Sequence, residues 1–134
     1  MAKETNELTF TKDQLKAINH DSGPILVVAG AGTGKTAVIT SRISRLILTN
    51  KAKPEEVLAL TFTDKAASEM QQRVDEMLPY GFLDTQIMTF HSLAEKLLRE
   101  FALDIGLSTE FTLLSDIQQT IILQEVLNRA DFSY

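Results

Sequence analysis

The segment that most constrains this chain is residues 29–36, which read Ala-Gly-Ala-Gly-Thr-Gly-Lys-Thr and directly follow the apolar run at residues 25–28. Glycines let the backbone turn several N–H groups toward one point, at φ values that other residues resist. Lys35 can then reach the outer phosphates of a nucleotide, and the Thr36 hydroxyl can hold Mg²⁺. The pattern predicts a phosphate-binding loop between a strand and a helix.

The predicted binding residues are the members of this loop, with Lys35 and Thr36 also expected to act in catalysis and Thr36 to bind Mg²⁺. One departure is visible, because Ala29 stands where the full pattern has glycine. The alternative is an ordinary glycine-rich turn between a strand and a helix. The loop residues are Ala29, Gly30, Ala31, Gly32, Thr33, Gly34, Lys35 and Thr36.

Composition narrows the class of protein. The 134 residues are 44% apolar and 23% charged, which is typical of one globular domain with a core. A net charge of −5 argues against a generic basic nucleic-acid binder, but it leaves room for a single strand held through a few contacts. There is no cysteine, no apolar run near the roughly 20 residues that span a membrane, and no apolar leader. These features predict a cytoplasmic protein with no membrane partner.

Hydrophobic periodicity predicts an alternation of strands and helices, and hence an α/β fold with parallel strands. The run Ile25–Ala29 is apolar on both faces, as in a sheet covered by helices on both sides. Leu15 and Ile18 are expected to face inward from the first helix. The predicted helices are Thr11–Ile18, Lys35–Leu48, Lys65–Leu78, Phe90–Ala102 and Ser115–Ala130, and the predicted strands are Ile25–Ala29, Val57–Thr61 and Thr85–Thr89.

Three segments in this order resemble one family. They are the loop at residues 29–36, the strand exit Leu-Thr-Phe-Thr-Asp-Lys-Ala-Ala at residues 60–67, and the strand exit Thr-Phe-His-Ser at residues 89–92. Together with Leu8, Thr9 and Gln14, they resemble the N-terminal part of a UvrD/Rep-type superfamily-1 DNA helicase. The resemblance implies an incomplete P-loop NTPase (RecA-like) three-layer fold. It also implies a motor-domain portion at residues 1–114 and the start of an inserted helical subdomain at residues 115–134.

The resemblance also implies roles for single residues. Gln14 would read the adenine edge through its amide, although it could instead only complete a capping box with Thr11. Phe62 and Thr63 would contact single-stranded DNA at the carboxyl end of a strand, unless Phe62 belongs to the core. His91 would contact the same DNA, unless it serves as a local cap or packing residue.

Two departures from the family pattern concern ligand contacts. Asp64 stands where the family often has asparagine, and a carboxylate there would repel phosphate unless Lys65 offsets it. Ala37 stands where many members have arginine. No apolar run after Phe90 ends in the Asp-Glu pair with which the family holds Mg²⁺ and positions water.

The chain is therefore expected to be a fragment that binds ATP and Mg²⁺ weakly and hydrolyses almost none. Its expected partners are single-stranded DNA and the remaining helicase domains of the parent chain. One alternative is a small stand-alone P-loop NTPase or nucleotide kinase, with Asp64 as the Mg²⁺ carboxylate. Another is a binding-only nucleotide module.

Overall fold

The computed structural model describes residues 9–79 and 84–130; Leu8, part of the predicted adenine-sensing segment, lies outside them. Short 3-10 turns at Pro54–Glu56 and Leu103–Ile105 accompany the regular elements. Contacts divide the chain into two compact units, Met1–Ala94 and Glu95–Tyr134. The described helices and strands are α1 Lys12–Asn19, α2 Lys35–Leu48, β1 Leu58–Thr61, α3 Asp64–Met77, β2 Gln86–Thr89, α4 Phe90–Glu100 and α5 Asp116–Arg129.

The sheet of the first unit consists of β1 and β2, which run parallel and are joined through α3. Their register pairs Leu58 with Gln86 and Thr61 with Thr89, so both strands end at the same edge. A parallel pair requires a crossover connection, which α3 provides. The prediction of an α/β fold with parallel strands is confirmed.

The main core lies where α2 and α3 pack together against one face of this sheet. Val74 of α3 is fully buried there, and Val57, Ala59 and Ile87 of the sheet pack against the same cluster. Since side chains alternate along a strand, residues 57 and 59 face the helices while Leu58 is half exposed. The buried members of the cluster are Ile43, Ile47, Met70, Val74 and Leu78.

A smaller cluster joins α1 to α2. Ala17 and Ile18 are buried against Val38, with Phe10 partly buried beside them. The expectation that Ile18 faces inward is confirmed. The same expectation for Leu15 is wrong, since this side chain is 43% exposed. The reason is that α1 packs on a single helix, which covers only a narrow stripe of its surface.

The predicted strand Ile25–Ala29 is wrong for the described residues. Leu26 and Val28 are 88% and 89% exposed, and no strand pairs with this segment within residues 9–79 and 84–130. A strand exists through backbone hydrogen bonds to a neighbouring strand, and within the described part of the chain β1 and β2 pair only with each other. An apolar pattern predicts what can be buried, but it does not provide the neighbouring strand.

Helix α5 lies in the second unit. Ser115 accepts a hydrogen bond from the Gln118 N–H and forms a capping box, so this predicted helix is confirmed within one residue at each end. Its apolar side chains, such as Ile117 and Val126, are exposed, as are Leu97 and Phe101, which belong to the apolar repeat of the predicted helix Phe90–Ala102. Of the helices that the structure describes, none combines the length and the apolar composition needed to cross a membrane.

Candidate nucleotide-binding loop and strand-end edge

The glycine-rich loop leads directly into the N-terminus of α2. Gly32 and Gly34 have φ of 73° and 79°, in the left-handed region that glycine enters without strain. Gly34 is the N-cap residue of α2 and, as a glycine, has no side chain with which to cap the helix. The first N–H groups of a helix have no partner within the helix, so those of α2 can serve a ligand at this point.

The polar side chains of the loop converge on the carbonyl of Gly30. Lys35 Nζ donates to this oxygen at 2.6 Å, and Thr33 Oγ1 donates to it at 2.8 Å. Lys35 also lies 3.4 Å from the carbonyl of Ala29. The ammonium group of Lys35 is therefore held beside the uncapped helix end, and half-buried Thr36 follows it in the first turn of α2. A cation and a helix N-terminus together attract an anion.

Gln14 lies against this loop. Its Oε1 accepts from the backbone N–H of Thr11 at 2.7 Å, which completes the capping box of α1. Its Nε2 donates to the carbonyl of Thr33 at 3.0 Å, and a Cβ on Gly34 would lie 3.3 Å from the same nitrogen. The capping interpretation of Gln14 is therefore correct, and the same amide also contacts the loop.

A second group of predicted residues lies at the edge where β1 and β2 end. The ring of Phe62 is 87% exposed, so the interpretation of Phe62 as a core residue is wrong. Its centroid lies 5.6 Å from that of Phe90, with the two rings tilted by 46°. Because Thr61 pairs with Thr89 in the register, the residues that follow them are neighbours across the sheet.

The other predicted residues at this edge have different local roles. The side chain of Thr63 accepts from the Ala66 N–H at 3.1 Å and caps α3. His91 is exposed, while the N–H of Ser92 donates to Thr89 Oγ1 at 3.1 Å. Thr89, rather than His91, thus supplies the local side-chain hydrogen bonds at the start of α4.

Lys65, the residue that could offset the charge of Asp64, lies 4.0 Å from Glu69. Among the described residues, no group of three or more His, Cys, Asp or Glu side chains could hold a metal ion. A groove of about 650 Å³ lies between α3 and Ile87, and no residue of the glycine-rich loop lines it. Residues 29–35 of the loop are exposed.

Sequence reasoning missed Phe90 and two arginines. Phe90 was noted as part of a helical repeat and of the Thr-Phe-His-Ser segment but was given no role, although it follows the end of β2 as Phe62 follows the end of β1. Comparing the two strand exits in register could have found it. Arg42 and Arg45 of α2 bind the C-terminal end of α1, and no short motif marks them.

The described residues thus define an α/β domain with a glycine-rich loop at a helix N-terminus and exposed aromatic side chains at its strand ends. The family model of the UvrD/REP helicase N-terminal domain matches residues 10–134. The chain belongs to this family, and the resemblance seen in the sequence is confirmed.

Individual relatives agree with the family match. The chain is 44% identical over 126 residues to a probable DNA helicase II homolog of Rickettsia conorii, covering 92% of this chain and 19% of the relative. It is 38% identical over 129 residues to the ATP-dependent DNA helicase PcrA of Leuconostoc citreum, covering 96% of this chain and 17% of the relative. It is 40% identical over 114 residues to the PcrA helicase of Bacillus subtilis, covering 85% of this chain and 15% of the relative. The chain spans less than a fifth of each of these relatives.

Proposed function

We propose that this chain is the ATP-binding N-terminal segment of an ATP-dependent DNA helicase with a RecA-like motor domain. The contact of the Gln14 amide with the glycine-rich loop carries this proposal, because it joins a base-reading group to a phosphate-binding group. The names of the relatives, DNA helicase II homolog and ATP-dependent DNA helicase PcrA, support it. Residues 1–114 would belong to the motor domain, and residues 115–134 would begin the inserted helical subdomain.

The residues present fit a nucleoside triphosphate. The uncapped α2 end and the Lys35 ammonium would hold its phosphates, and the Thr36 hydroxyl would be a ligand of the accompanying Mg²⁺. Hydrolysis needs a water-positioning group and further charges on the transferred phosphoryl group. We expect these groups from other segments of the parent helicase, so ATP turnover by this chain alone is expected to be negligible.

Titration calorimetry of the chain with MgATP tests the nucleotide site. Lys35→Ala is expected to weaken binding at least about tenfold, since a hydrogen bond to a charged group contributes about 1.5–3 kcal/mol. Lys65→Ala is the matched control, because this lysine is also exposed in the first turn of a helix. Equal effects of the two substitutions would contradict the proposed site. ATP turnover that Lys35→Ala abolishes would favour the stand-alone NTPase instead.

The strand-end edge is the proposed DNA contact. Exposed aromatic rings are the groups on which bases of a single strand stack, and Phe62 is the most exposed phenylalanine ring among the described residues. Thr63 and His91 would lie beside it along the same strand exits. The net charge of −5 predicts weak binding with only a shallow dependence on salt, because the steepness of that dependence grows with the number of phosphates that Lys and Arg neutralise.

Fluorescence anisotropy with a labelled oligothymidine tests this edge. Phe62→Ala is expected to lose about 1–3 kcal/mol of binding, the usual contribution of one stacked base. Phe62→Trp should retain binding, because the stacking face is kept. Phe101→Ala, at another half-exposed phenylalanine, is the control and should have no effect. Equal affinity for a duplex of the same length at matched salt would contradict the assignment.

A further inference from the structure

The C-terminal end of α1 is bound by two arginines of α2. The last carbonyls of a helix have no partner within it, and here they accept from guanidinium groups. Arg42 Nη1 donates to the carbonyl of Ala17 at 2.9 Å and also to that of His20. Arg45 Nε donates to the carbonyl of Ile18 at 2.8 Å. We call these two arginines and the carbonyls they bind the arginine clamp.

Asp21 fixes the guanidinium of Arg45. Its Oδ1 lies 2.7 Å from Arg45 Nη2, and its other carboxylate oxygen pairs with Lys51. The side chain of Arg45 is only 20% exposed, so solvent competes little for its donors. A planar guanidinium can bind a carbonyl and a carboxylate at once in one orientation, which an ammonium cannot do.

The clamp and the Gln14 amide lie on the same side of α1. Gln14 and Ile18 are four residues apart, so their positions fall on one helix face, about one turn of 5.4 Å apart. The burial of Ala17 and Ile18 against Val38 packs α1 on α2, and the clamp adds directional hydrogen bonds that oppose a rotation of α1 about its own axis. Gln14 meets the loop at the other end of this turn, through its bond to Thr33. The place of the amide is thus fixed relative to α2.

We propose that Arg42 and Arg45 are positioning residues, which act through Gln14 to set the preference of the site for adenine over guanine. This inference rests on the proposed ATP site. An amide distinguishes adenine from guanine only when its donor and acceptor meet the base edge in the correct place. A rotation of α1 would move the amide away from the base while leaving Lys35 and the helix N-terminus beside the phosphates. Loss of the clamp therefore lowers base discrimination more than it lowers phosphate affinity.

The experiment measures the affinities of the chain for MgATP and MgGTP by titration calorimetry and takes their ratio. Gln14→Ala is expected to lower the ATP-to-GTP preference about tenfold, the usual effect of losing one hydrogen-bonding group. Arg45→Ala and Arg42→Ala should lower it about three- to tenfold. Arg45→Lys keeps a positive charge beside Asp21 but lacks the planar guanidinium with its several donors. We therefore expect an intermediate loss of the ATP-to-GTP preference. Arg73→Ala, at an exposed arginine of α3, is the matched control and should leave the ratio unchanged.

A double-mutant cycle separates positioning from simple support of the fold. If Arg45 acts through Gln14, the double variant Gln14→Ala/Arg45→Ala has the same preference as Gln14→Ala alone. Equal losses of ATP and GTP affinity in the clamp variants, or additive effects in the cycle, would overturn the inference. If Arg45→Ala does not fold, as thermal unfolding would reveal, the Arg45→Lys ratio and its own cycle with Gln14→Ala decide the question. Binding of neither nucleotide by the unsubstituted chain would overturn the proposed function and this inference together.

Discussion

Two apolar runs of this chain look alike in sequence and occupy different environments. Residues 57–60, the paired run, enter β1 and pack Val57 and Ala59 against the core. Residues 25–28, the exposed run, form no described strand pairing and leave Val28 89% exposed. Both runs precede a turn and a helix. The difference shows that neighbouring backbone, rather than apolar composition, decides which run becomes a strand.

The two turns that follow these runs also differ. After the paired run, Thr63 caps α3 with its own side chain. After the exposed run, the N-cap residue of α2 is Gly34, which has no side chain with which to cap the helix. A capped helix start satisfies its own N–H groups, whereas an uncapped one leaves them for a ligand. The N-cap residue therefore distinguishes the two helix starts: Thr63 stabilises the first turn of α3 with its side chain, whereas Gly34 provides no such acceptor for α2.

The largest expected effect comes from making the same valine-to-aspartate substitution in the core and in the exposed run. Val74→Asp places a charge at a fully buried position and is expected to lower the free energy of unfolding by about 3–5 kcal/mol or more. Val28→Asp should change it by less than about 0.5 kcal/mol, because surface substitutions cost little. Urea unfolding followed by circular dichroism measures both. A large loss for Val28→Asp would show that the exposed run is packed in solution.

Two glycines of the loop provide a second test. Gly34→Ala introduces a side chain at φ 79° and 3.3 Å from Gln14 Nε2, so we expect a loss of about 1–2 kcal/mol of stability. Gly30→Ala is the matched control, since its Cβ would meet only Thr33 Cγ2 at an ordinary 3.8 Å. Thermal unfolding and MgATP titration measure both variants. Equal losses of thermal stability and of MgATP affinity in the two alanine variants would contradict the loop geometry.

The cap of α3 provides a third, smaller test. Thr63→Ala removes the acceptor for the Ala66 N–H and should cost about 1 kcal/mol of stability, whereas Thr63→Ser should cost little. Urea unfolding measures this loss, and anisotropy with the oligothymidine measures any separate loss of DNA binding. A stability loss that serine fails to rescue would argue against capping as the role of Thr63.

Acid unfolding provides the smallest test, at Asp21 just before the exposed run. Its hydrogen bonds to Lys51 and then to Arg45 lower the pKa of Asp21 from 3.8 to about 2. The unfolded chain therefore binds this proton more readily, so the stabilisation is present above about pH 4 and is lost as the pH falls toward 2. Asp21→Asn should flatten this part of the pH–stability curve. Asp104→Asn, at another exposed carboxylate, should leave its shape unchanged.

Local sequence signals predicted most of the fold. The cap residues Thr11 and Ser115 and the apolar face of α3 indicated helices that the structure contains, because these signals depend on residues within one element. The exposed run was wrongly predicted as a strand, because strand formation depends on another segment of chain. The periodicity of residues 90–101 predicted a helix correctly but did not determine what would cover Phe101.

The candidate site was predictable to a similar extent. The loop and Gln14 follow from short motifs, and the structure brings them into contact. Phe90 and the arginine clamp were not foreseen. The pairing of Phe90 with Phe62 depends on sheet register, and the clamp joins residues that lie more than twenty positions apart. The assignment of the loop to ATP and of the edge to DNA stays a prediction.

The register between β1 and β2 has a consequence for tolerance to insertions and deletions. Thr61 and Thr89 are partners at the last step of two strands that are only four residues long. Adding or removing one residue within either strand would turn its side chains to the opposite face and separate Phe62 from Phe90. Length changes between α3 and β2 leave this pairing intact. Among homologous chains, length variation should therefore accumulate in that connection and be nearly absent from the strands.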